Sequence, residues 1–212
     1  MTASARTVVM TRYVALLRGI YPSNPRMRNE NLRQVARDLG YEEVSTVISS
    51  GNIVFASEST DPAGIEASFE AAWPERLGFE STTIVRSRAE LAALVDLRPF
   101  GELVHKPETY LLATFSKEEL SVPLELPQRP DGFEHDVVAA TEREIFTVTD
   151  TTTEKTPNVM GWLEKLFGKS ISSRTWQTVR RILERMDQPQ PGASHPGGGI
   201  AIQLCSVIMG SI

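Results

Sequence analysis

The order of short apolar runs and amphipathic segments constrains this chain more than any other feature. In the first part of the chain, the apolar residues follow the spacing of a strand, a helix, two strands, a helix and a strand. The predicted strands are residues 13–17, 44–48, 53–56 and 81–85, and the predicted helices begin at Asn29 and Pro62. This order is typical of the ferredoxin-like βαββαβ unit, in which two helices lie on one face of a four-stranded antiparallel sheet.

The second half of the chain repeats this order less clearly. The pattern predicts a strand at 109–115, a short helix at 117–120, a hairpin of 137–140 and 145–148, a helix at 159–167, a strand at 170–172 and a last helix from Arg174 or Thr175. We therefore predict an α+β protein with two ferredoxin-like subdomains, whose antiparallel sheets carry helices on one face. The predicted boundaries are 11–87 and 108–186 for the subdomains, 88–107 for a helical connector, and 187–212 for a linker rich in proline and glycine and a tail.

Charge is distributed unevenly along the chain. The formal net charge is −5, but residues 1–40 carry +5, residues 169–186 carry +4 and residues 41–168 carry −13. If the two basic segments meet in space, they form a cationic patch that attracts an anion. The alternative is that both are the solvated faces of ordinary helices, as most charge runs are. The acidic body of the chain disfavours a general nucleic-acid binder.

Composition limits the compartment and the chemistry. The single cysteine, Cys205, allows no internal disulfide and no multi-cysteine metal site, and it fits a reducing compartment. No apolar run approaches the roughly 20 residues of a membrane-spanning helix, and the first 15 residues lack the apolar core of a secretory signal. We therefore expect a cytoplasmic protein with no membrane partner.

Three stretches of the sequence resemble the bacterial family DUF1697, a domain of unknown function. The first is Tyr-Val-Ala-Leu-Leu-Arg-Gly-Ile at 13–20, the second is Ser-Gly-Asn-Ile-Val-Phe at 50–55, and the third is Ser-Ser-Arg-Thr-Trp-Gln-Thr-Val at 172–179. The resemblance covers about residues 12–186 in consistent order, and it implies an α+β fold with ferredoxin-like subdomains and no established activity. The chain departs from the family pattern at 21–24, where the family has Asn and a Gly pair, and at Thr175, where it has Asn.

Two of these stretches contain candidate anion ligands. Arg18 follows a predicted buried strand, where its guanidinium can hold a phosphate or carboxylate or can pair with an acid from the middle of the chain. The segment Ser172, Ser173, Arg174 and Thr175 is predicted to open a helix. Free N–H groups and hydroxyls at a helix start can hold an anion, although simple N-capping by Ser172 or Ser173 is the favoured role.

The turn before the third strand supplies two further candidates. Ser50 and Asn52 can present a hydroxyl and an amide to a ligand, but the alternative is turn chemistry, since Gly and Asn tolerate positive φ. We expect Arg18 and Asn52 to lie at opposite ends of the sheet, so that they do not share a pocket within one unit.

Other chemistry-bearing residues form no recognisable set. The histidines His105, His135 and His195 lack the spacing of metal ligands, and Trp73, Trp162 and Trp176 lie on helix faces typical of a core. No glycine-rich phosphate loop is present. The sequence therefore predicts no catalytic residue, metal or cofactor, and it leaves open whether the protein is an enzyme.

Three functions remain in competition. The favoured one is a non-enzymatic binding or interaction module with an unknown ligand. The second is a small-anion or nucleotide-phosphate site where Arg18 and the segment 172–175 converge. The third is binding of RNA or single strands on a sheet, which needs exposed aromatic rings and is the least favoured, since the first unit offers only Tyr13 and Phe55. A homo-oligomer formed through the C-terminal tail is a further expectation.

Overall fold

The computed structural model describes residues 9–120, 126, 129, 135–152 and 159–188. Within them, the strands form two antiparallel four-stranded sheets, so the α+β class is confirmed. The first sheet contains β1 (Thr11–Leu17), β2 (Glu42–Thr46), β3 (Asn52–Ser57) and β4 (Thr83–Ser87), and the second contains β5 (Tyr110–Ser116), β6 (His135–Ala140), β7 (Glu144–Thr149) and β8 (Ile171–Thr175). The strand orders, β2-β3-β1-β4 and β6-β7-β5-β8, are equivalent.

Five α-helices are present in the described part of the chain: α1 (Asn29–Asp38), α2 (Pro62–Ala72), α3 (Arg88–Asp96), α4 (Val159–Phe167) and α5 (Trp176–Asp187). The start of α3 is a capping box, because the Ser87 hydroxyl accepts from the Glu90 N–H and the Glu90 carboxylate accepts from the Ser87 N–H. A proline opens α2 in the first turn, where its missing N–H costs nothing. No described helix is long and apolar enough to cross a membrane.

Both faces of the first sheet are buried. Alternate residues of β1 point to opposite faces, and Tyr13, Ala15 and Leu17 pack beneath α1 and α2. An aromatic cluster fills this outer layer, with Phe69 of α2 against Phe55 of β3 at a ring separation of 5.5 Å. Since Tyr13 and Phe55 are buried there, neither ring can stack a base on this sheet.

A second core joins the two sheets. Val14 and Leu16 of β1 belong to a continuous cluster that contains residues of both sheets, of α3 and of α5. The helices α3 and α5 also contact each other. The outer face of the second sheet is covered by α4, whose Leu163 packs with Ile145 and Ile171. The inner faces of the two halves are thus packed together with α3 and α5.

The last helix, predicted from Arg174 or Thr175, is confirmed as α5, but one predicted cap and one predicted helix are wrong. Ser172 and Ser173 do not cap a helix, because they belong to β8, which pairs with β5 from Phe115↔Ser172 to Leu112↔Thr175. The N-cap of α5 is Thr175, whose hydroxyl accepts from the Thr178 N–H at 3.2 Å. The short helix predicted at 117–120 is absent, and the Lys117 N–H instead donates to the Ser170 carbonyl at 2.9 Å.

The end of the chain lies outside the described residues. The predicted tail and most of the predicted linker fall there, together with Cys205, His195 and any oligomer contact made by the tail.

Candidate functional site

The three stretches that resemble the family meet between the two sheets. Arg174 of β8 donates to the carbonyl of Leu17 at 2.8 Å and to that of Gly51 at 3.2 Å. Its remaining donors bind the Ser172 hydroxyl at 2.9 Å, the Ser173 carbonyl at 2.8 Å and the side-chain oxygen of Asn52. We call Arg174, Asn52 and Ser172, with the carbonyls of Leu17 and Gly51, the Arg174 cluster.

The Arg174 cluster holds a buried cation with neutral groups. All five N–H donors of the guanidinium are used, and no carboxylate is among its partners. Burial lowers the pKa of Arg174 to about 10, so the group stays charged at neutral pH. No N–H of Arg174 is left for a ligand, and the cluster joins the two halves of the molecule.

Asn52 fixes the turn that precedes β3. Its amide nitrogen donates to the Val47 carbonyl and to the Ser50 hydroxyl, both at 3.0 Å, while its oxygen accepts from Arg174. The side chain is completely buried. Ser50 and Asn52 therefore stabilise the turn by hydrogen bonds, as the sequence suggests, and Asn52 also contacts the second half of the chain through Arg174.

The expectation that Arg18 and Asn52 lie at opposite ends of the sheet is wrong. Because β1 and β3 are antiparallel and Leu16 pairs with Asn52, the end of β1 lies beside the start of β3. Arg18 nevertheless has partners of its own. Its guanidinium pairs with Glu164 at 2.5 Å and donates to the carbonyls of Lys169 and Ile171.

The two remaining candidates also have partners within the protein. The Ser173 and Thr114 hydroxyls lie 2.6 Å apart, and the Thr175 hydroxyl caps α5. Ligand-binding roles for the seven residues predicted from the sequence stay predictions. The structure shows how most of their donors are engaged without a ligand.

A different cleft, which we call the α3–α5 cleft, contains donors without partners. It has a volume of about 370 Å³ and lies between the end of α3, the following loop and the first turns of α5. The apolar part of its wall is Val95, Phe100, Leu103, Val104, Leu111 and Trp176, and the polar part is Arg98, His105, Gln177 and Arg180, with Gly101 between. Volumes of this order are typical of small-molecule sites.

The polar side chains of this cleft have hydrogen-bond donors without partners in the described structure. Within the described residues, the side chains of Arg98, Gln177 and Arg180 make no hydrogen bond or ion pair, and no aspartate or glutamate lines the cleft. The His105 Nδ1 accepts from the Leu111 N–H at 3.1 Å, which places the proton of the neutral ring on Nε2. The cleft is therefore a concentration of unneutralised positive charge and free N–H groups.

A larger cleft near Arg18 differs in this respect. Its volume is about 560 Å³, and it is lined by Arg18, Lys117 and Lys169 together with Glu70 and Glu80. Lys117 binds both oxygens of Glu70 at 2.7 Å, and Arg18 is paired with Glu164. Most of the positive charge in this cleft is neutralised by the protein itself. The described residues contain no group of histidine, cysteine, aspartate or glutamate side chains suited to a metal ion.

Sequence reasoning missed the α3–α5 cleft. Arg98 and Arg180 are far apart in the chain, and the packing of α3 against α5 brings them to one cavity. One local signal existed, since Trp176 and Arg180 are four residues apart on a helix and so share a face. The helical pattern assigns Trp176 to the core and therefore does not indicate that it lines a cleft with Arg180.

Comparisons with known proteins place the chain in context. A sequence model of the family described as "Protein of unknown function (DUF1697)" matches residues 10–146. The structure of the conserved bacterial protein SP0830 from Streptococcus pneumoniae is similar, with a TM-score of 0.63 and 21% sequence identity over 85% of this chain and 100% of that chain. This likeness shows a shared fold. No curated protein matches the chain.

Proposed function

The chain belongs to the DUF1697 family, whose function is unknown, and we propose that it binds a small anion between Arg98 and Arg180 in the α3–α5 cleft. A small-anion site was the second function considered from the sequence. There it was expected near Arg18 and the segment 172–175, whereas we now assign it to the α3–α5 cleft. One observation carries the proposal: two guanidinium groups line one cavity that has no acidic residue in its wall and no acid partner in the described structure.

The chemistry of the cleft suits a phosphate or carboxylate. Guanidinium groups donate paired, charge-assisted hydrogen bonds to such anions. Gln177 lies in the first turn of α5, where the helix dipole also favours negative charge. His105 adds a neutral N–H donor to the same wall. At the Arg174 cluster, by contrast, every guanidinium donor is already used.

Calorimetric titration of the full chain with inorganic phosphate and with pyrophosphate tests this proposal. We expect saturable binding, and a phosphate concentration of 100 times Kd should stabilise the fold by about 2.7 kcal/mol. The variant Arg180→Glu should abolish binding. The matched control is Arg181→Glu, which makes the same charge change on the neighbouring exposed residue of α5, outside the cleft.

Two outcomes would contradict the proposal. One is the absence of phosphate and pyrophosphate binding to the folded wild-type chain. The other is equal loss of binding in Arg180→Glu and Arg181→Glu, which would mean a general electrostatic attraction and not a site.

We further propose that each half is a ferredoxin-like unit of a cytoplasmic protein, with the boundaries 11–87 and 108–186 and the connector 88–107. Equal strand orders in the two sheets support this division, as do the outer positions of α2 and α4, each of which precedes the last strand of its sheet. A crystal structure tests it: superposition of β1–β4 on β5–β8 should place α2 on α4, and a mismatch of these helices would contradict it.

A further inference from the structure

We propose that the anion bound in the α3–α5 cleft carries a planar aromatic group, which lies against Trp176 while the charged group binds Arg98 and Arg180. This inference rests on the proposed function and deepens it by naming the class of ligand. Different residues would hold the two parts of the ligand, since the aromatic part faces the apolar residues of the cleft and the charged part faces its arginines.

Trp176 is held in position before any ligand arrives. Its ring makes edge contacts with Phe100, at 5.3 Å and 65°, and with Phe146, at 5.9 Å and 87°. Phe100 and Phe146 also contact each other edge to face at 5.7 Å. Contacts with Phe100 and Phe146 thus hold the indole of Trp176 in place in the wall of the cleft, so a planar ligand would order little of the protein on binding.

The indole N–H of Trp176 also has no partner in the described structure. By contrast, the indole N–H of the buried Trp73 donates to the Thr83 hydroxyl at 2.9 Å. Tryptophan N–H groups in semi-buried positions usually find an acceptor. His105 Nε2 and the Gln177 amide line the same cleft and offer donors to a ring that contains acceptor atoms, as heteroaromatic rings do. The indole N–H lies in the plane of Trp176 and is free to donate to another part of the ligand.

The loop that follows α3 adds apolar side chains to the wall, and nothing in the described structure covers them. Leu103 is 47% exposed and Val104 is 71% exposed, and both line the cleft. An apolar ligand surface placed between this loop and Trp176 would remove both side chains from water, which is favourable. A lining that combines two guanidinium groups with an indole ring and apolar side chains suits an amphipathic ligand such as a nucleoside monophosphate.

Titration of the full chain with four phosphate-bearing probes tests the inference. The probes are inorganic phosphate, ribose 5-phosphate, phenyl phosphate and adenosine 5′-monophosphate, which differ in the presence of a ring and in its distance from the phosphate. We expect the ring-bearing probes to bind on the order of tenfold more tightly than ribose 5-phosphate, the gain typical of one stacked ring. Tighter binding of adenosine 5′-monophosphate than of phenyl phosphate would identify a nucleotide, and the reverse order a simple aromatic phosphate.

Failures of the two proposals are distinguishable. Equal affinity for all four probes, lost in Arg180→Glu, would overturn the aromatic inference and leave the anion site intact. No binding of any probe would overturn both. In Trp176→Leu we expect the preference for ring-bearing probes to vanish while phosphate binding remains, and in Trp176→Phe we expect part of the preference to survive.

Trp176→Leu could unfold the protein, since the indole braces Phe100 and Phe146. A second measurement uses the native residue at that position. In a Trp162→Phe background the emission comes from Trp176 and from Trp73, which is buried outside the cleft. Adenosine 5′-monophosphate should quench the part from Trp176 saturably, whereas ribose 5-phosphate should not. Binding of adenosine 5′-monophosphate without a change in tryptophan emission would contradict ring contact with Trp176.

Discussion

The guanidinium of Arg174 donates a hydrogen bond to the side-chain oxygen of Asn52, although 122 residues separate the two positions in the chain. The same guanidinium reaches the carbonyls of Leu17 and Gly51, so one side chain of the second half binds two neighbouring strands of the first. Arg174 thus joins the two halves, whereas Arg98 and Arg180, whose side chains have no partner among the described residues, lie in the α3–α5 cleft.

Arg174→Ala should destabilise the protein severely. The substitution leaves the buried side-chain oxygen of Asn52 without its donor, removes one of two donors from the carbonyls of Leu17 and Gly51, and opens a cavity between the sheets. We expect a loss of about 3–5 kcal/mol in the free energy of unfolding, measured by urea denaturation. Arg181→Ala, on the exposed surface of α5, should change it by less than about 0.5 kcal/mol. Equal small effects of the two substitutions would show that the Arg174 cluster does not hold the halves together.

Gly51→Ala should cost more stability than Gly40→Ala. Both glycines have positive φ, +72° and +86°, so alanine is strained at either position by about 1–2 kcal/mol. At Gly51 an added Cβ would also lie 2.6 Å from Ile20 Cγ1 and 2.9 Å from Leu17 Cβ, whereas at Gly40 it meets nothing within 4 Å. Thermal or urea unfolding should therefore give a further loss of about 1–3 kcal/mol for Gly51→Ala. A larger effect at Gly40 would contradict the close packing of this turn.

The ion pair of Arg86 and Glu144 should show the behaviour of a buried pair. The two groups are 2.7 Å apart with side chains 1% and 8% exposed, and they connect β4 of the first sheet to β7 of the second. Glu144→Ala leaves the Arg86 charge buried without its acid and should cost about 3–5 kcal/mol. Asp38→Ala removes the acid of the exposed pair with Arg76 and should cost less than about 1 kcal/mol. Urea unfolding of the two variants compares them, and similar losses would mean that the Arg86 charge is compensated by other groups.

Glu66 should make the stability depend on pH. Burial raises the pKa of this carboxyl above its ordinary 4.5, against the Val85 N–H and the charges of Lys117, Arg143 and Arg86, which lower it. The folded chain therefore holds this proton more tightly than the unfolded chain does, and the contribution of Glu66 to stability falls as pH rises from the ordinary pKa through the raised one.

Glu66→Gln removes that titration and keeps an acceptor for Val85. The stability of Glu66→Gln relative to the wild type should rise as the pH increases above about 4.5, measured by urea denaturation at a series of pH values. A relative stability that falls over this interval would mean that Lys117 and the neighbouring arginines outweigh the burial of the carboxyl.

Local patterns predicted the elements well because most of them are set by local chemistry. The apolar runs at β1 and β3 and the turn at Gly51 were predictable, since periodicity and turn chemistry are properties of neighbouring residues. The segment from Ser172 to Thr175 was assigned incorrectly because only its local sequence was considered. Its hydroxyls resemble a helix cap, but pairing with β5 and contacts with the first half determine its conformation.

The arrangement of the halves and the α3–α5 cleft could not be predicted in this way. Nothing local to Lys117 indicates its partner Glu70, and nothing local to Arg98 indicates that Arg180 lines the same cavity. Both relationships depend on how the second sheet and α5 pack against the first half. Such contacts between distant segments leave no periodic signal in the sequence.

A crystal structure of the full chain soaked with tungstate tests the central claim most directly, since this oxyanion mimics phosphate and is visible by its anomalous scattering. We expect tungstate between the guanidinium groups of Arg98 and Arg180. Tungstate bound instead by Arg18 and Arg174, with the α3–α5 cleft empty, would contradict it.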